Sequence, residues 1–336
     1  MNNIKTGKEL LKEIVDNKKS LMELKFSNEL TYDEAIKYLH SYLTNDLKET
    51  YDLYYELKFD LKNDTIDKIK SLANTNKDIS ILYAKALFDG EKVDKNLNEA
   101  ITYFKKALDN KIYMGAYYLS LIYLSKEYFD EKLAKEYAEV AIKNNISDAY
   151  YTLAQLNDNE EIIFTYLDEG YKNDSVICSF EIGRFQFYNT NFKTAETYLK
   201  KAYELGSLEA GLLLARIYNN SNRFDDGGNI ASNIMNKVNW NICWFTLTEA
   251  YFFKFKNDSE PAKEGFKTCK SLVENNYEEA NYLYGCMLID GFGCERDTKL
   301  GLEYLNKAIN YFKNYNNPYG NLMINNAKKI ISELTK

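Results

Sequence analysis

An internal repeat constrains the fold of this chain more than any other feature of its sequence. The segment that begins at Tyr83 aligns without a gap with the segment that begins at Tyr284. Glycine stands six residues after a small anchor residue in both copies, at Gly90 and at Gly291, and other matches follow at fixed distances. So many coincidences indicate a chain built from repeated structural units.

The same template recovers five further units between these two. The seven anchors recur every 29 to 36 residues, at Ala84, Ser120, Ala154, Gly183, Ala215, Ala250 and Gly285. A second signature follows most anchors: two small residues seven apart, with an aromatic residue three after the first. Its clearest copies are Ala100-Tyr103-Ala107, Ala134-Tyr137-Ala141, Ala195-Tyr198-Ala202 and Gly301-Tyr304-Ala308. The repeat therefore predicts seven units over residues 78–312.

The spacing of small and aromatic residues predicts two short amphipathic helices in each unit. Small residues let two helix backbones approach closely, and the aromatic residue fills the space beside them. Neither helix can bury its apolar stripe alone, so each unit has to stack on the next. With only 2 prolines and 15 glycines, the chain has little material for the turns of a β fold. We therefore predict an all-α fold, an α/α superhelical solenoid of antiparallel helix pairs.

The segments that flank the repeats are predicted to be helical as well. Residues 1–45 predict an N-terminal helical region, and residues 46–77 a degenerate helix pair. Residues 313–336 predict a C-terminal capping helix that follows Pro318 and turns Leu322, Ala327, Ile330 and Leu334 inward.

Charge and apolar patterning exclude several classes of protein. The net charge of −7, with only four arginines among 43 basic residues, argues against binding of nucleic acid. No window of about 20 apolar residues is present, so we expect no membrane span. The N-terminus lacks the apolar core of a signal peptide, which predicts a cytoplasmic protein.

The residues that carry catalysis or bind metals are scarce. His40 is the only histidine, and the five cysteines form no Cys-x-x-Cys pair, so we expect no metal site and reduced thiols. Phosphate-binding loops, nucleophile elbows and dinucleotide fingerprints are missing. These observations predict a protein that is not an enzyme and needs no cofactor.

At this point the residues resemble a known family. NFKTAETYLKKAYELGS, from Asn191 to Ser207, is similar to the second helix of a tetratricopeptide repeat. The outer units resemble the Sel-one-like subfamily, whose loop carries a Gly-x-Gly-Val motif. That loop reads Gly291-Phe292-Gly293-Cys294 in one copy and Gly90-Glu91-Lys92-Val93 in the other, and both depart from the motif at one position. The resemblance implies a scaffold or peptide receptor.

The family resemblance also implies where a ligand would bind. First helices line the concave face, so positions around each anchor face the ligand. The candidate peptide-binding residues are Tyr151, Gln155, Arg184, Phe187, Arg216, Trp244, Tyr251 and Lys254. Arg184 and Arg216 occupy equivalent places in adjacent units, and arginine forks bind carboxylates, which favours an acidic peptide. In the alternative interpretation, the two arginines pair with acidic neighbours such as Glu181 and Glu209.

Two functions are compatible with this pattern. The first is a non-catalytic scaffold that binds a protein, as a peptide or a helix, in the concave groove. The second is a ligand-responsive regulatory receptor of the tetratricopeptide type. Some such receptors carry a DNA-binding helix-turn-helix, but residues 1–45 show neither its turn glycine nor a basic recognition helix. The partner's identity and the oligomeric state stay open.

Overall fold

The computed structural model describes residues 70–71, 73–75, 77–90, 93–235 and 240–335. Across those ranges the chain forms fifteen α-helices and no strand. The helices are α1 Lys77–Asp89, α2 Leu97–Asp109, α3 Met114–Leu124, α4 Glu131–Lys143, α5 Tyr150–Gln155, α6 Glu160–Lys172, α7 Val176–Tyr188, α8 Phe192–Glu204, α9 Leu208–Asn220, α10 Phe224–Met235, α11 Asn241–Lys254, α12 Glu260–Glu274, α13 Ala280–Asp290, α14 Thr298–Phe312 and α15 Pro318–Leu334. The predictions for residues 1–45, for most of residues 46–77 and for His40 lie outside these ranges.

The helices follow the repeat. Each of the seven anchors lies in an odd-numbered helix from α1 to α13, and each second signature lies in the even-numbered helix that follows. Helices pack against their neighbours in sequence order. The predicted all-α solenoid class of helix pairs is therefore confirmed.

Small residues sit where two helices approach most closely. A Cβ atom added to Gly115 would lie 2.6 Å from the carbonyl oxygen of Phe104, and one added to Gly285 would lie 2.9 Å from that of Gly301. The alanines that close the second signature are fully buried, as expected, at Ala107, Ala141, Ala202 and Ala308. A larger residue at these positions would force neighbouring helices apart.

Short polar residues begin and end the helices. Asn96, Asp130, Ser259 and Asp297 each accept a hydrogen bond at the start of a second helix, which satisfies a backbone N–H that has no partner inside the helix. Residues in the left-handed conformation end many of the helices, among them Asn145, Asn222 and Asn276. The asparagine clusters thus act as helix stops and caps.

The loop between α13 and α14 needs both of its glycines. Gly291 ends α13 with φ +72°, and Gly293 has φ +69°. The Gly293 N–H donates to the carbonyl oxygen of Asn257 at 2.7 Å, and a Cβ on Gly293 would lie only 2.1 Å from the carbonyl oxygen of Ala262. Between the two glycines, the Phe292 ring is buried against Phe252. The loop therefore fastens this repeat to the one before it.

The described helices form two compact units, and the division falls inside α7. Unit 1 extends to Ser179 and also takes in Glu204–Gly206. Its core contains rings and aliphatic side chains of α1 to α5, such as Phe104, Leu119 and Leu153.

Unit 2 comprises Phe180–Tyr203 and the chain from Ser207 onward. Its largest cluster joins Phe187 of α7 and Leu214 of α9 with Phe312 of α14 and Tyr319 of α15. The C-terminal helix thus contacts α9 and α7, which precede it by three and four repeats.

The inward face of α15 differs in part from the prediction. Ala327 is buried, and Ile330 and Leu334 pack half-buried against α13 and α14, as expected. The inward prediction is wrong for Leu322, which is 37% exposed. Tyr319 and Ala327 define the buried stripe of the helix, and Leu322 lies at the edge of that stripe.

Candidate functional site

The candidate site of unit 2 is built around an arginine in a buried helix. Every residue of α9 from Ala210 to Asn219 is buried, and the side chain of Arg216 is only 5% exposed. A charge in such a place is costly unless it is paired and hydrogen-bonded. The residues that surround Arg216 therefore decide whether this helix can fold at all.

Three other elements supply the partners of Arg216. Its Nη2 donates to Glu279 Oε1 at 2.8 Å and to the Tyr319 hydroxyl oxygen at 2.6 Å. Its Nε lies 3.4 Å from Glu249 Oε2. Glu249 comes from α11, Glu279 directly precedes α13, and Tyr319 is in the first turn of α15. One guanidinium group therefore joins four helices of unit 2.

Aromatic rings enclose this ionic cluster. The Arg216 Cζ atom lies 5.3 Å from the ring centre of Phe245, 5.7 Å from that of Tyr319 and 5.8 Å from that of Phe187. A cation over ring faces is attracted by their negative quadrupole, more so where water is excluded. The rings also help to bury the ion pairs, which strengthens those pairs.

Burial shifts the ionisation of the cluster. Burial lowers the pKa of Arg216. The electrostatic effects of Glu279, Tyr319 and Glu249, in that order, raise the pKa by more than burial lowers it, so the net shift is upward. Burial raises the pKa of Glu249 to about 7, although Arg216 opposes the shift. Arg216 Nε and Glu249 Oε2 are buried without a hydrogen bond among the described residues. The cluster is thus one arginine shared by two carboxylates and a phenol, with some of its bonding capacity unused.

A cavity of about 370 Å³ opens beside the cluster, between α15 and the helices beneath it. Side chains of α15 form one wall, from Tyr319, Leu322, Met323 and Asn326. The opposite wall carries Arg216, Glu249 and Glu279 among apolar rings, and is completed by Phe192, Asn220, Phe245, Phe253, Tyr282 and Leu283. The volume and the apolar lining fit a small ligand or the side chains of a partner.

Comparison with known proteins identifies the repeat. A family model described as the Sel1 repeat matches residues 81–111, 183–207 and 278–310. Three segments of this chain are thus similar to Sel1 repeats. The resemblance predicted from the sequence is therefore confirmed, and the second matched segment shows that the family extends to an interior unit. Sel1 repeats generally form non-catalytic scaffolds for protein–protein interaction, which suggests protein partners.

Solved structures of similar chains have low sequence identity. A protective antigen of uropathogenic Escherichia coli with an SLR fold is 12% identical, with a TM-score of 0.45, over 96% of this chain and 79% of that one. A Sel1 repeat protein from Oxalobacter formigenes is 13% identical, with a TM-score of 0.40, over 97% of this chain and 94% of that one. The search of curated proteins gave no match.

The eight predicted peptide-binding residues fall into both units. Tyr151 and Gln155 lie in α5 of unit 1, half-buried and exposed respectively. The other six lie in unit 2: Arg184, Phe187, Arg216, Trp244, Tyr251 and Lys254. Of these six, the cluster brings together Arg216 and Phe187.

The remaining residues of unit 2 lie apart from the cluster. Trp244 and Lys254 are exposed on α11, and Lys254 pairs with Asp225. The Tyr251 ring packs edge-on against Phe255. Arg184 is exposed and donates through Nε and Nη2 to Glu181 Oε2, at 3.1 and 2.5 Å. Arg184 therefore pairs with Glu181 of its own helix, as the alternative interpretation predicted.

For Arg216 the acidic partners differ from the one that the alternative interpretation named. Glu209 accepts a hydrogen bond from the Ser207 hydroxyl at the start of α9. The carboxylates beside Arg216 are instead those of Glu249 and Glu279, which the sequence analysis did not identify. A usable signal was present, because Arg216 and Glu249 are each the one charged residue within an otherwise uncharged run, GLLLARIY and WFTLTEAYFF. Such isolated opposite charges in two apolar helices predict a buried pair.

Two further observations concern other classes of site. Across the described residues, no group of histidine, cysteine, aspartate and glutamate side chains could hold a metal ion. None of the helices in the described ranges is both long and apolar enough to cross a bilayer.

Proposed function

We propose that this protein is a non-catalytic interaction scaffold that binds a peptide or helix on the first-helix face of unit 2. This face is formed by α7, α9, α11 and α13 and is marked by Phe187, Arg216, Phe245 and Tyr282. The observation that supports it is the 370 Å³ cavity on this face, which is lined by aromatic rings around a buried polar centre. Sites that anchor a partner's side chains have this composition.

The chemistry of the face favours an apolar partner segment. Arg216 is already bound by Glu279 and faces Glu249, so it has little capacity left for an acidic ligand. Phe253, which lines the cavity, is 49% exposed, and Trp244 of the same helix is exposed as well. Exposed aromatic rings offer contact area at a low cost in entropy. An acidic partner, expected from the sequence, stays a prediction that Arg216 does not support.

A peptide selection tests this proposal. Random peptides would be selected for binding to the intact chain, and their affinities measured for variants with Phe253→Ala or Trp244→Ala. Loss of an aromatic anchor typically costs about 2 kcal/mol or more, so we expect affinity to fall by about thirtyfold or more. Phe129→Ala, which removes an exposed ring of unit 1, is the matched control and should leave binding unchanged. Peptides that bind all three variants equally would contradict the proposal.

The alternative, a ligand-responsive receptor, is supported by the same cavity, because its volume is in the range of small-molecule sites. A receptor of this kind would bind a short peptide or small ligand wholly inside the cavity. Selected peptides that can be cut to two or three residues without loss of affinity would favour the receptor over the scaffold.

A further inference from the structure

The two halves of α15 are held in different ways. The C-terminal half is packed as a cap: Ala327 is buried with Ile289, Leu305 and Ile309, and Ile331 packs against the same cluster. These contacts are apolar and lie on α13 and α14, the adjacent repeat. This half therefore covers the apolar surface of α13 and α14.

The N-terminal half of α15 lies over the first-helix face. The Tyr319 hydroxyl accepts a hydrogen bond from Arg216, 103 residues earlier in the chain. Its ring centre is 5.2 Å from that of Phe187 and 5.8 Å from that of Tyr188, both in α7. Tyr319 is thus an aromatic anchor in the middle of the face to which we assign partner binding.

The fit of this half is incomplete. Beyond Tyr319, the half-buried Met323 and the exposed Asn326 line the cavity of about 370 Å³. Leu322 lines the same cavity and is 37% exposed. Because the cavity is open and lined by side chains of both α15 and the helices beneath it, α15 leaves part of this face uncovered. A helix with larger side chains at these positions would bury more of the same surface.

We propose that the first two turns of α15 are an intramolecular ligand, which a partner helix of related chemistry displaces. This inference rests on the proposed function. The partner is an amphipathic helix with a tyrosine in its first turn, to satisfy Arg216, and large apolar residues three to seven positions later, to fill the cavity. The linker that joins α14 to α15 is short, residues 313–317. The first turns of α15 therefore compete with a partner helix at a high effective concentration.

A labelled peptide tests the competition. The probe is a synthetic peptide of residues 317–335 with Asn326→Leu, which adds an apolar side chain toward the cavity. We expect weak binding to the intact wild-type chain and at least tenfold tighter binding to the Tyr319→Ala chain, in which the internal anchor is removed. Tyr137→Ala, which deletes a stacked tyrosine of unit 1, is the matched control and should bind like the wild type.

A second peptide examines the role of the hydroxyl group. Phenylalanine in place of the tyrosine at position 319 of the probe should weaken binding to the Tyr319→Ala chain at least fivefold, because Arg216 then loses an acceptor. Equal affinity of the first probe for the wild-type and Tyr319→Ala chains, or no binding to either, would overturn the inference. The proposed function is judged separately, by the response of selected peptides to Phe253→Ala and Trp244→Ala.

Hydrogen exchange decides the matter if the Tyr319→Ala chain does not fold. With saturating probe on the wild-type chain, amides of residues 321–326 should exchange at least tenfold faster, while those of residues 330–334 keep their protection. Unchanged exchange in both segments at saturation, or equal loss in both, would contradict displacement of the first two turns alone.

Discussion

Arg216 shows how one residue can depend on parts of the chain that are far away in sequence. Its two carboxylate partners and its phenol partner lie 33, 63 and 103 residues further on. A buried ion pair contributes little net stability, since desolvation offsets the Coulomb attraction. Removal of one partner is different, because it leaves the remaining charges buried and uncompensated.

Replacement of Arg216 by alanine should therefore destabilise the fold strongly. We expect a loss of about 3–5 kcal/mol in the free energy of unfolding, because Glu249 and Glu279 lose their cation. Arg184→Ala is the matched control: that arginine pairs with Glu181 on an exposed helix surface, and its loss should cost less than about 1 kcal/mol. Urea denaturation of both variants measures the difference. Similar costs for the two would mean that the cluster does not hold α15 in place.

At the scale of single elements, α10 carries two neighbouring glycines in different surroundings. A Cβ on Gly227 would lie 2.2 Å from Asn219 Oδ1 and 2.7 Å from the carbonyl oxygen of Ala215. A Cβ on Gly228 would meet its nearest neighbour, Leu247, at an ordinary 3.7 Å. The close packing of α10 therefore requires glycine at position 227 but not at position 228.

Alanine at these two positions should have opposite effects. Gly227→Ala forces α9 and α10 apart and should cost about 1–3 kcal/mol. Gly228→Ala meets no obstacle and removes the conformational freedom of glycine in a helix, which should stabilise the chain by about 0.5–1 kcal/mol. Thermal unfolding of the two variants gives the signs directly. A loss of stability with Gly228→Ala would show that α10 and α11 pack more tightly than these distances indicate.

The elements could be predicted from the sequence, whereas the site could be predicted only in part. Helix pairs follow from local spacing, since small residues seven apart mark a close contact wherever they recur, as at Ala195 and Ala202. The same periodicity assigns Phe187 of α7 and Arg216 of α9 to the same face of successive first helices, and the structure brings their side chains together. Tyr319 could not be placed, because periodicity within α15 identifies an inward stripe and not the helix that the stripe contacts. The pairing of Arg216 with Glu279 and Tyr319 is likewise a property of tertiary structure, whereas the isolated charge of Glu249 in an apolar helix was a usable signal.

At the scale of the whole molecule, the cysteines are distributed over both units, with Cys178 in unit 1 and the other four in unit 2. All five cysteines are free, four of them buried and Cys294 half-buried. Burial raises the pKa of Cys286 to about 12 and also raises the pKa of Cys269 and of Cys294. The reactive thiolate is therefore scarce at neutral pH in the folded chain.

Thiol titration with DTNB should follow this order of burial. In denaturant, without reductant, we expect five reactive thiols. In the folded chain at pH 8, Cys294 should react first, and Cys294→Ser should remove that first phase. Fewer than five thiols in denaturant would reveal a disulfide, and an unchanged first phase in Cys294→Ser would mean that another cysteine becomes accessible by local opening.

The long sequence distance between Arg216 and Tyr319 has a consequence for synthesis. A ribosome that adds roughly 5–20 residues per second reaches Tyr319 about 5–20 s after Arg216, since 103 residues separate them. During that interval the earlier helices of unit 2 can pair with their neighbours, but the aromatic face around Arg216 is uncovered. The nascent chain thus has a period in which this face is open to a partner before its own last helix exists.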